Sequence, residues 1–448
     1  AAIPGTALDG ARFISDALEK GATAILATPK AAVDLPGRIS TLISANPRAT
    51  LAQLAQRFYP NQPQIICAVT GTNGKTSVAS FLRQIWAHHG KRAASLGTLG
   101  VVTDGGVKPL AHTTPDPVAI HRILSDLTKE GVTHAVLEAS SHGLAQHRLD
   151  GVKLAAGALT NLSRDHLDYH TDFDDYLSAK LRLFTHVIRE GGVAVLNRDA
   201  DCYEPARAAA EGHGLTLFDV GAMANTLKLV SVRPCKDGLK LEIAFNDSTY
   251  PVNLPLVGAF QASNALVAAG LALATGGSID HIIDALGQLK GAEGRMECVA
   301  KLANGASVFI DYAHTPDALG TALRALRPHT EGRLCVVFGA GGDRDKGKRL
   351  QMGKIASKLA DLVIITDDNP RNEDPAAIRR QIMEAAPGAK EIGDRKAAIE
   401  FALGRLGPGD LLIVAGKGHE SGQTVKAITH PFKDADVIGE LLKERGHP

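Results

Sequence analysis

The sequence is poor in the features that mark several large classes of protein. Aromatic residues make up 4% of 448 residues, too few for the stacking platforms that hold single-stranded nucleic acid. Neither sign of charge dominates. Lys and Arg number 49 against 48 Asp and Glu, a formal net charge of +1, whereas a chain that holds a polyanion carries a basic excess. No nucleic-acid partner is expected. The five cysteines (Cys67, Cys202, Cys235, Cys298, Cys335) are scattered, odd in number and without a CxxC pair. They read as reduced thiols rather than a disulfide frame or a zinc site, which points to the cytoplasm. No apolar run approaches the roughly 20 residues of a membrane span, and no signal peptide is visible. Membrane insertion is therefore not expected. Low-complexity tracts and short-period repeats are also missing.

What the chain has is apolar residues, 44% of the total, with 46 glycines and abundant alanine. That composition suits helices packed closely on sheets, and the length predicts two or three domains. Residues 1–62 form a short αβ segment: "AAIPG", a helical "DGARFISDALEKGA" and the strand "TAILA". The chain opens without a methionine and as if inside a strand, which predicts a missing N-terminal piece. "NPRATLAQLAQRFYPNQPQ" reads as a helix closed by Pro60, with a linker turn at Pro63.

From Ile65 buried strands alternate with amphipathic helices: "IICAVTG", "KTSVASFLRQIWAHHG", "THAVLEAS", "AAGALTNLS", a helix around "DYLSAKLRLFTHVI", and "GVAVLN". This is the rhythm of a parallel sheet. Residues 215–255 read instead as antiparallel strands, as in "LKLEIAF". "GRME" (Gly294 to Glu297) opens a third block with the strands "SVFIDYA", "LCVVFGAGG", "DLVIITDDN" and "DLLIVAGKG". It reads as a second doubly wound unit, whose ligands should gather at the carboxyl ends of its strands. The expected fold class is α/β in three domains, 1–62, 63–293 and 294–448.

The stretch Gly71-Thr72-Asn73-Gly74-Lys75-Thr76-Ser77 lies between a buried strand and a helix. Such a loop aims backbone N–H groups and a helix N-terminus at an anion. Lys75 can neutralise β- and γ-phosphates, and Thr76 can ligate Mg²⁺. The spacing departs from GxxxxGK[ST], since Val69 stands where the first glycine would be. An acid near the metal is required, and Glu138 ends the strand "THAVLE", although an exposed strand-end glutamate fits as well. "NLSRDHLDYH" adds Asp165, His166 and Asp168 beside another strand end, with His166 favoured as a metal ligand.

The motifs TGTNGKT, HTTPD, EASSHGLAQHR, TNLSRDHLDYH, AKLRLF, GRME, DYAHTPD, GAGGDRDKGKR, DDNPR and AGKGHE follow one another here in the order found in Mur ligases. The chain resembles that family, in particular its diaminopimelate-adding type, from about residue 3 to the C-terminus. The resemblance implies a UDP-substrate-binding domain (1–62), a central P-loop-type ATPase domain (63–293) and a C-terminal Rossmann-like amino-acid-binding domain (294–448). It implies a reaction in which ATP phosphorylates a carboxylate of UDP-N-acetylmuramoyl-L-alanyl-D-glutamate and an amine attacks the acyl phosphate. Charge neutralisation and in-line positioning carry such chemistry. The implied cofactors are ATP and Mg²⁺ at two sites. A monomer is expected.

By the same resemblance Lys180 matches a lysine that becomes carbamylated and so a metal ligand; read from the sequence alone it is a surface helix lysine. Thr113, Thr114, Ser140, Gln146 and Arg148 match positions that hold the muramoyl dipeptide. Asn264, Arg295, Asp311 and His314 match contacts to adenine, ribose or phosphate from across a cleft, which would make ATP a bridge between domains. Asp368-Asn369-Pro370-Arg371 matches the tetrapeptide that marks meso-2,6-diaminopimelate as the amine. A buried arginine can clamp the second carboxylate of that amino acid, which lysine lacks. Arg344, Gly416 and Glu420 match further partners of the amino acid. Alone, "DNPR" also fits a plain turn before a helix and "GGDRDKGKR" a solvated basic loop.

The chain departs from the family in lacking the serine-bearing motif that precedes "AAIPGT" and holds the uridine nucleotide; Thr6 to Leu8 match part of that site weakly. Three other readings stay open: a lysine-adding Mur ligase, a ligase like folylpolyglutamate synthetase, and a nucleotide-regulated binding protein without turnover.

Overall fold

The computed structural model of the chain describes residues 1–5, 8–32, 35, 39–163, 169–235 and 238–445. The expectations placed on Thr6, Asp165, His166 and Asp168 fall outside the described residues. The chain divides into two compact units. One comprises Ala1–Leu229, Phe245–Asp247 and Asn264–Ala285; the other comprises Val230–Ala244, Ser248–Ser263 and Leu286–Pro448. Among the described residues no helix is long and apolar enough to cross a membrane.

In the first unit, residues 1–62 carry a small parallel sheet of their own, Ala24–Ala27 beside Ser40–Ile43, over a core that includes Ala2, Ile25 and Ala27. The opening "AAIPG" makes an isolated bridge between Pro4 and Asp9, and Ala2 N–H donates to Leu26 O at 2.7 Å. The helix Pro47–Phe58 is capped by Asn46, whose side chain accepts from Ala49 N–H, the expected role of an amide at that position.

The main sheet of this unit is built on six parallel strands. In spatial order they are Thr216–Gly221, Ile188–Asn197, Leu154–Leu159, Ile65–Thr70, His134–Glu138 and Ala93–Gly97. Gly100–Thr103 and Gly106–Lys108 extend it as antiparallel strands. The chain leaves Ile65–Thr70 toward one edge and returns to its other side at Leu154–Leu159. The loop after Ile65–Thr70 therefore sits at the switch point, where ligands of such sheets bind. Ile66, Ala68, Leu137, Leu159 and Leu196 share one core cluster, which explains the unbroken apolar runs of these strands.

Two sequence expectations change. Thr216–Gly221, expected as antiparallel, pairs parallel with Ile188–Asn197, Thr216 opposite Val193. A short strand with one apolar face has the same pattern in either direction, so the alternation of "LKLEIAF" gave no warrant for extending its sense to 216–221. The helix expected around "DYLSAKLRLFTHVI" is α-helical over Phe173–Arg182 and then loosens into a π-helical turn, Leu183–Val187.

The second unit holds a sheet in the order Glu297–Lys301, Ser307–Asp311, Leu411–Ala415, Leu334–Phe338, Leu362–Ile365 and Lys390–Glu391. Its first pair is antiparallel and the rest are parallel. Core clusters cover both faces. The strands consequently end together, and Asp311, Gly339, Thr366 and Gly416 open loops at one edge.

Under that edge lies a wholly buried ion pair. Arg395 donates from Nε and Nη2 to the two carboxylate oxygens of Asp434, each at 2.8 Å, and from Nη2 to Ala415 O at 3.1 Å. Breaking such a pair strands a charge in the interior, at a cost of about 3–5 kcal/mol. Asp434→Asn should lower stability in urea unfolding by about that amount. The double replacement Arg395→Met with Asp434→Leu should cost clearly less, because no charge is left behind.

Candidate functional site

The loop after Ile65–Thr70 is held by close backbone approach. Gly71 has φ +143° and Gly74 φ +88°. A Cβ on Gly71 would collide with Thr160 Oγ1, and one on Gly74 with Asn264 Oδ1. Asn73 lies between them. Its N–H donates to Asn161 Oδ1 at 3.0 Å, and its carbonyl accepts from Thr160 Oγ1 at 2.6 Å and Asn161 Nδ2 at 3.2 Å. Thr72 N–H donates to Asn161 O at 3.0 Å, and its hydroxyl lies 3.0 Å from the Tyr176 hydroxyl. The helix Lys75–His88 then starts at Gly74 with no side-chain cap. A glycine start leaves the first N–H groups for an external anion.

Two lysines converge on this loop. Lys75 Nζ donates to the carbonyls of Gly71 and Thr72, both at 2.9 Å. Lys180 Nζ donates to Gly71 O at 2.8 Å and sits 4.4 Å from the Tyr176 ring centre. Lys180 is 1% exposed, so its sequence-only reading as a surface lysine is corrected. The helix Phe173–Arg182 buries Tyr176, Ala179 and Lys180, the i, i+3, i+4 stripe that faces a core.

Glu138, 2% exposed, ends the strand His134–Glu138. Its carboxylate accepts from Thr76 Oγ1 at 3.0 Å, Thr98 N–H at 2.9 Å and Thr98 Oγ1 at 3.1 Å. It is thus a buried, held acid rather than a solvated strand end. Thr76 and Glu138 offer a hydroxyl and a carboxylate 3.0 Å apart, hard oxygen donors that suit Mg²⁺. Among the described residues no group of three or more His, Cys, Asp or Glu side chains could hold a metal; the expected ligand His166 lies outside them.

The network continues away from the loop. Thr98 and Thr113 hydroxyls are 3.1 Å apart. Thr114 Oγ1 donates to Glu138 O at 2.8 Å and accepts from Ser140 N–H at 3.0 Å. Ser140 caps the helix Ser141–Ala145. Arg148 donates to Thr114 O at 2.6 Å and Gln146 Oε1 at 2.8 Å, and Gln146 donates to the Tyr169 hydroxyl at 3.0 Å. Lys75, Thr76, Glu138, Thr113, Thr114, Ser140, Gln146 and Arg148 therefore fall in one neighbourhood. Ser77 is buried in the first turn of Lys75–His88. Asn264 belongs with this group too, because it packs on Gly74 within the same unit. Arg295, Asp311 and His314, which were expected to serve the same nucleotide, lie in the second unit. Sequence reasoning missed Thr98, Tyr169 and Tyr176. Nothing in the chain singles out Thr98; it follows the strand Ala93–Gly97, whose pairing with the strand ending in Glu138 is seen only in the fold.

In the second unit, Arg295 lies over the Tyr312 ring at 4.5 Å. Asp311 accepts from the N–H groups of Met296 at 2.7 Å and Ala313 at 2.8 Å. Burial pushes its carboxyl up, with Arg295 and these N–H groups opposing. The His314 Nδ1–H donates to Tyr312 O at 2.8 Å, and burial pushes this imidazole down, toward the neutral form.

Three loops of this unit interlock. Arg371 has φ +51°. Its N–H donates to Thr424 O at 3.0 Å, its carbonyl accepts from Lys426 N–H at 2.6 Å, and its guanidinium donates to Gly342 O at 2.8 Å. A Cβ on Gly342 would collide with Pro370 O. Asn369 donates to Glu420 Oε2 at 2.9 Å and accepts from Thr424 N–H at 2.9 Å. Gly416 has φ +112°, and a Cβ there would stand 3.2 Å from Asp368 Oδ2. The plain-turn reading of "DNPR" is replaced by a loop fixed on both sides. Arg349 braces the basic loop through a two-armed pair with Glu373, 2.9 Å on each arm, and its hydrogen bonds hold the Glu373 carboxyl down at about 2. Arg344 is exposed on that loop.

A phosphate-type loop at the switch point of a parallel sheet, with a buried acid at the adjacent strand end, defines a nucleotide-binding α/β protein. Comparison with known proteins narrows this class. The model of the Mur ligase middle domain matches residues 69–272, and that of the Mur ligase, glutamate ligase domain matches residues 294–418. The chain belongs to the Mur ligase family. It is 51% identical over 441 residues to the UDP-N-acetylmuramoyl-L-alanyl-D-glutamate–2,6-diaminopimelate ligase of Rhizobium meliloti (strain 1021), covering 98% of this chain and 90% of that relative. The enzyme of the same name from Brucella melitensis biotype 1 is 51% identical over 445 residues, covering 99% and 91%. A solved structure of a UDP-N-acetylmuramoyl-L-alanyl-D-glutamate–2,6-diaminopimelate ligase superposes with a TM-score of 0.73 at 33% identity, covering 98% of this chain and 90% of that one.

The closeness of Gly74 to Asn264 sets a test. Gly74→Ala should destabilise the chain by about 1–2 kcal/mol from the left-handed backbone alone, and further through the collision with Asn264. Adding Asn264→Ala should recover the collision's share and leave the backbone share, read by urea unfolding of the two variants.

Proposed function

We propose that this chain is an ATP-dependent, ADP-forming amide ligase that adds meso-2,6-diaminopimelate to UDP-N-acetylmuramoyl-L-alanyl-D-glutamate in peptidoglycan precursor synthesis. The observation that carries the reading is the run of contacts from Lys75 through Thr76, Glu138 and Thr114 to Arg148. It sets phosphate-holding groups beside groups suited to a carboxylate, as transfer of a phosphoryl group to a carboxylate requires. The substrates are taken from the names of the relatives.

In this reading the γ-phosphoryl group passes from ATP to the D-glutamyl carboxylate, giving an acyl phosphate and ADP. The amine of diaminopimelate attacks the acyl carbon, an amide forms, and phosphate leaves. Gly71, Thr72, Asn73, Gly74, Lys75, Thr76 and Ser77 hold the phosphates of ATP, and Asn264, Arg295, Asp311 and His314 contact the rest of the nucleotide. Thr76, Glu138, His166 and carbamylated Lys180 hold Mg²⁺ at two sites, where the metal would offset the charge of two anions brought together. Thr113, Thr114, Ser140, Gln146 and Arg148 hold the muramoyl dipeptide. Arg344, Asp368, Asn369, Pro370, Arg371, Gly416 and Glu420 hold diaminopimelate. Residues 1–62, 63–293 and 294–448 serve the UDP substrate, ATP and the amino acid in turn. The protein works as a cytoplasmic monomer.

Lys180 is buried and its Nζ lies 2.8 Å from Gly71 O, so the oxygens of a carbamate formed there would lie beside the phosphate loop, where Mg²⁺ would offset their charge. Lys180→Ala should lose turnover, with partial return on adding short-chain carboxylic acids. Loss without any return would overturn the carbamate.

The reaction itself is tested by phosphate release with ATP, Mg²⁺ and UDP-N-acetylmuramoyl-L-alanyl-D-glutamate, with meso-diaminopimelate in one tube and L-lysine in another. Release with tripeptide formation should need diaminopimelate, and activity with lysine alone would overturn the amino-acid assignment. Arg371→Ala should raise the KM for diaminopimelate about thirtyfold or more, from the roughly 2 kcal/mol lower bound for a broken buried charge pair, with the KM for ATP little changed.

A further inference from the structure

Lys417 is 0% exposed, and it stands between Gly416 and Glu420, the two residues of this segment proposed to hold the amino acid. Its Nζ donates to Asn369 Oδ1 at 3.3 Å, Glu420 Oε2 at 3.3 Å and Gly422 O at 2.5 Å. These three acceptors use the three donors of an ammonium. Asp368 Oδ1 lies 3.7 Å from the same nitrogen, close enough for ion pairing but beyond a hydrogen bond. That oxygen is buried and has no hydrogen-bond partner among the described residues. Asp368 and Glu420 thus share one buried cation, and the cluster of three carries one net negative charge.

We propose that Lys417 is a specificity-determining positioning residue, which sets the charge of this cluster to match the single ammonium of a zwitterionic amino-acid end. The proposal rests on the reading of this site as the diaminopimelate pocket and adds a residue to it. The distal end of diaminopimelate carries one ammonium and one carboxylate. With Arg371 assigned to the carboxylate, the ammonium needs one counter-charge, and the orphan acceptor on Asp368 supplies it. Without Lys417 the cluster would hold two carboxylates with no cation in ion-pair contact among the described residues, Arg395 and Lys348 acting on them from farther away. Those carboxylates would attract a purely cationic end, such as that of L-lysine, more than a zwitterionic one. Lys417 therefore disfavours the wrong amine by limiting the pocket's negative charge, in addition to tying the loops of Asn369 and Glu420 together.

The test is the ratio of kcat/KM for meso-diaminopimelate to that for L-lysine, measured on the full chain. Lys417→Met should lower the ratio at least tenfold and leave the KM for ATP within about twofold, as expected for a charge effect confined to one subsite. Lys417→Arg, which keeps the charge, should retain most of the ratio. Glu420→Gln removes a negative charge from the same cluster and should move the ratio in the opposite direction, whatever it does to overall rate. This variant keeps the proposal open to refutation where Lys417→Met fails to fold. An unchanged ratio in Lys417→Met, or a Glu420→Gln shift in the same direction, would overturn the proposal. Absence of diaminopimelate-dependent turnover in the unaltered protein would instead overturn the functional reading beneath it.

Discussion

The carbonyl oxygen of Gly71 accepts from both Lys75 and Lys180, and much of the first unit is arranged to make that convergence possible. A backbone carbonyl can turn toward two side chains only where the loop has no Cβ in the way, and Gly71 and Gly74 supply that freedom at positive φ. The strand Ile65–Thr70 must end at the switch point for the loop to face a strand end carrying an acid. The helix Phe173–Arg182 must lie with its apolar stripe inward for Lys180 to reach the loop. Two ammonium groups on one oxygen repel each other, so the arrangement favours a nearby anion. A bound phosphate would supply one.

Glu138 illustrates a second constraint. A buried carboxylate must be satisfied, and here two hydroxyls and a backbone N–H do it without a permanent cation partner among the described residues. Neutral donors hold the acid in place and leave its charge available. A lysine or arginine at the position of Thr98 would hold it as well and spend that charge. The second unit solves the corresponding problem differently. Its loops are held by internal ion pairs, Arg349 with Glu373 and Arg395 with Asp434. Neither pair takes Asp368, Arg371 or Arg344 as a partner, so the braces and the groups proposed to hold the amino acid are separate sets.

Much of this was legible in the chain. Strand and helix order in both units follows from apolar runs and glycine ends, and the glycine loop was placed by its position between a buried strand and a helix. The family motifs named most of the residues that the first unit gathers around Glu138. What was not legible depended on tertiary proximity. Lys180 looks like any helix lysine until the packing of its helix is known. Thr98 is one threonine among many until Ala93–Gly97 is paired with His134–Glu138. The direction of Thr216–Gly221 is set by the neighbouring strand, and its own alternation is silent on that. The closeness of Asn264 to Gly74 was hidden by their distance along the chain.

Lys417 shows why the same limit applies to specificity. In the sequence it is the unremarked lysine of "AGKGHE", and the charge of that segment gives no reason to single it out. Only burial changes its meaning. An exposed lysine beside two acids is screened by water and contributes little to selection. A lysine with no exposure must be matched by the carboxylates around it, and those carboxylates lose part of their pull on any ligand. The selectivity of a pocket for a zwitterion therefore depends as much on the charge that the protein has already neutralised as on the groups that touch the ligand.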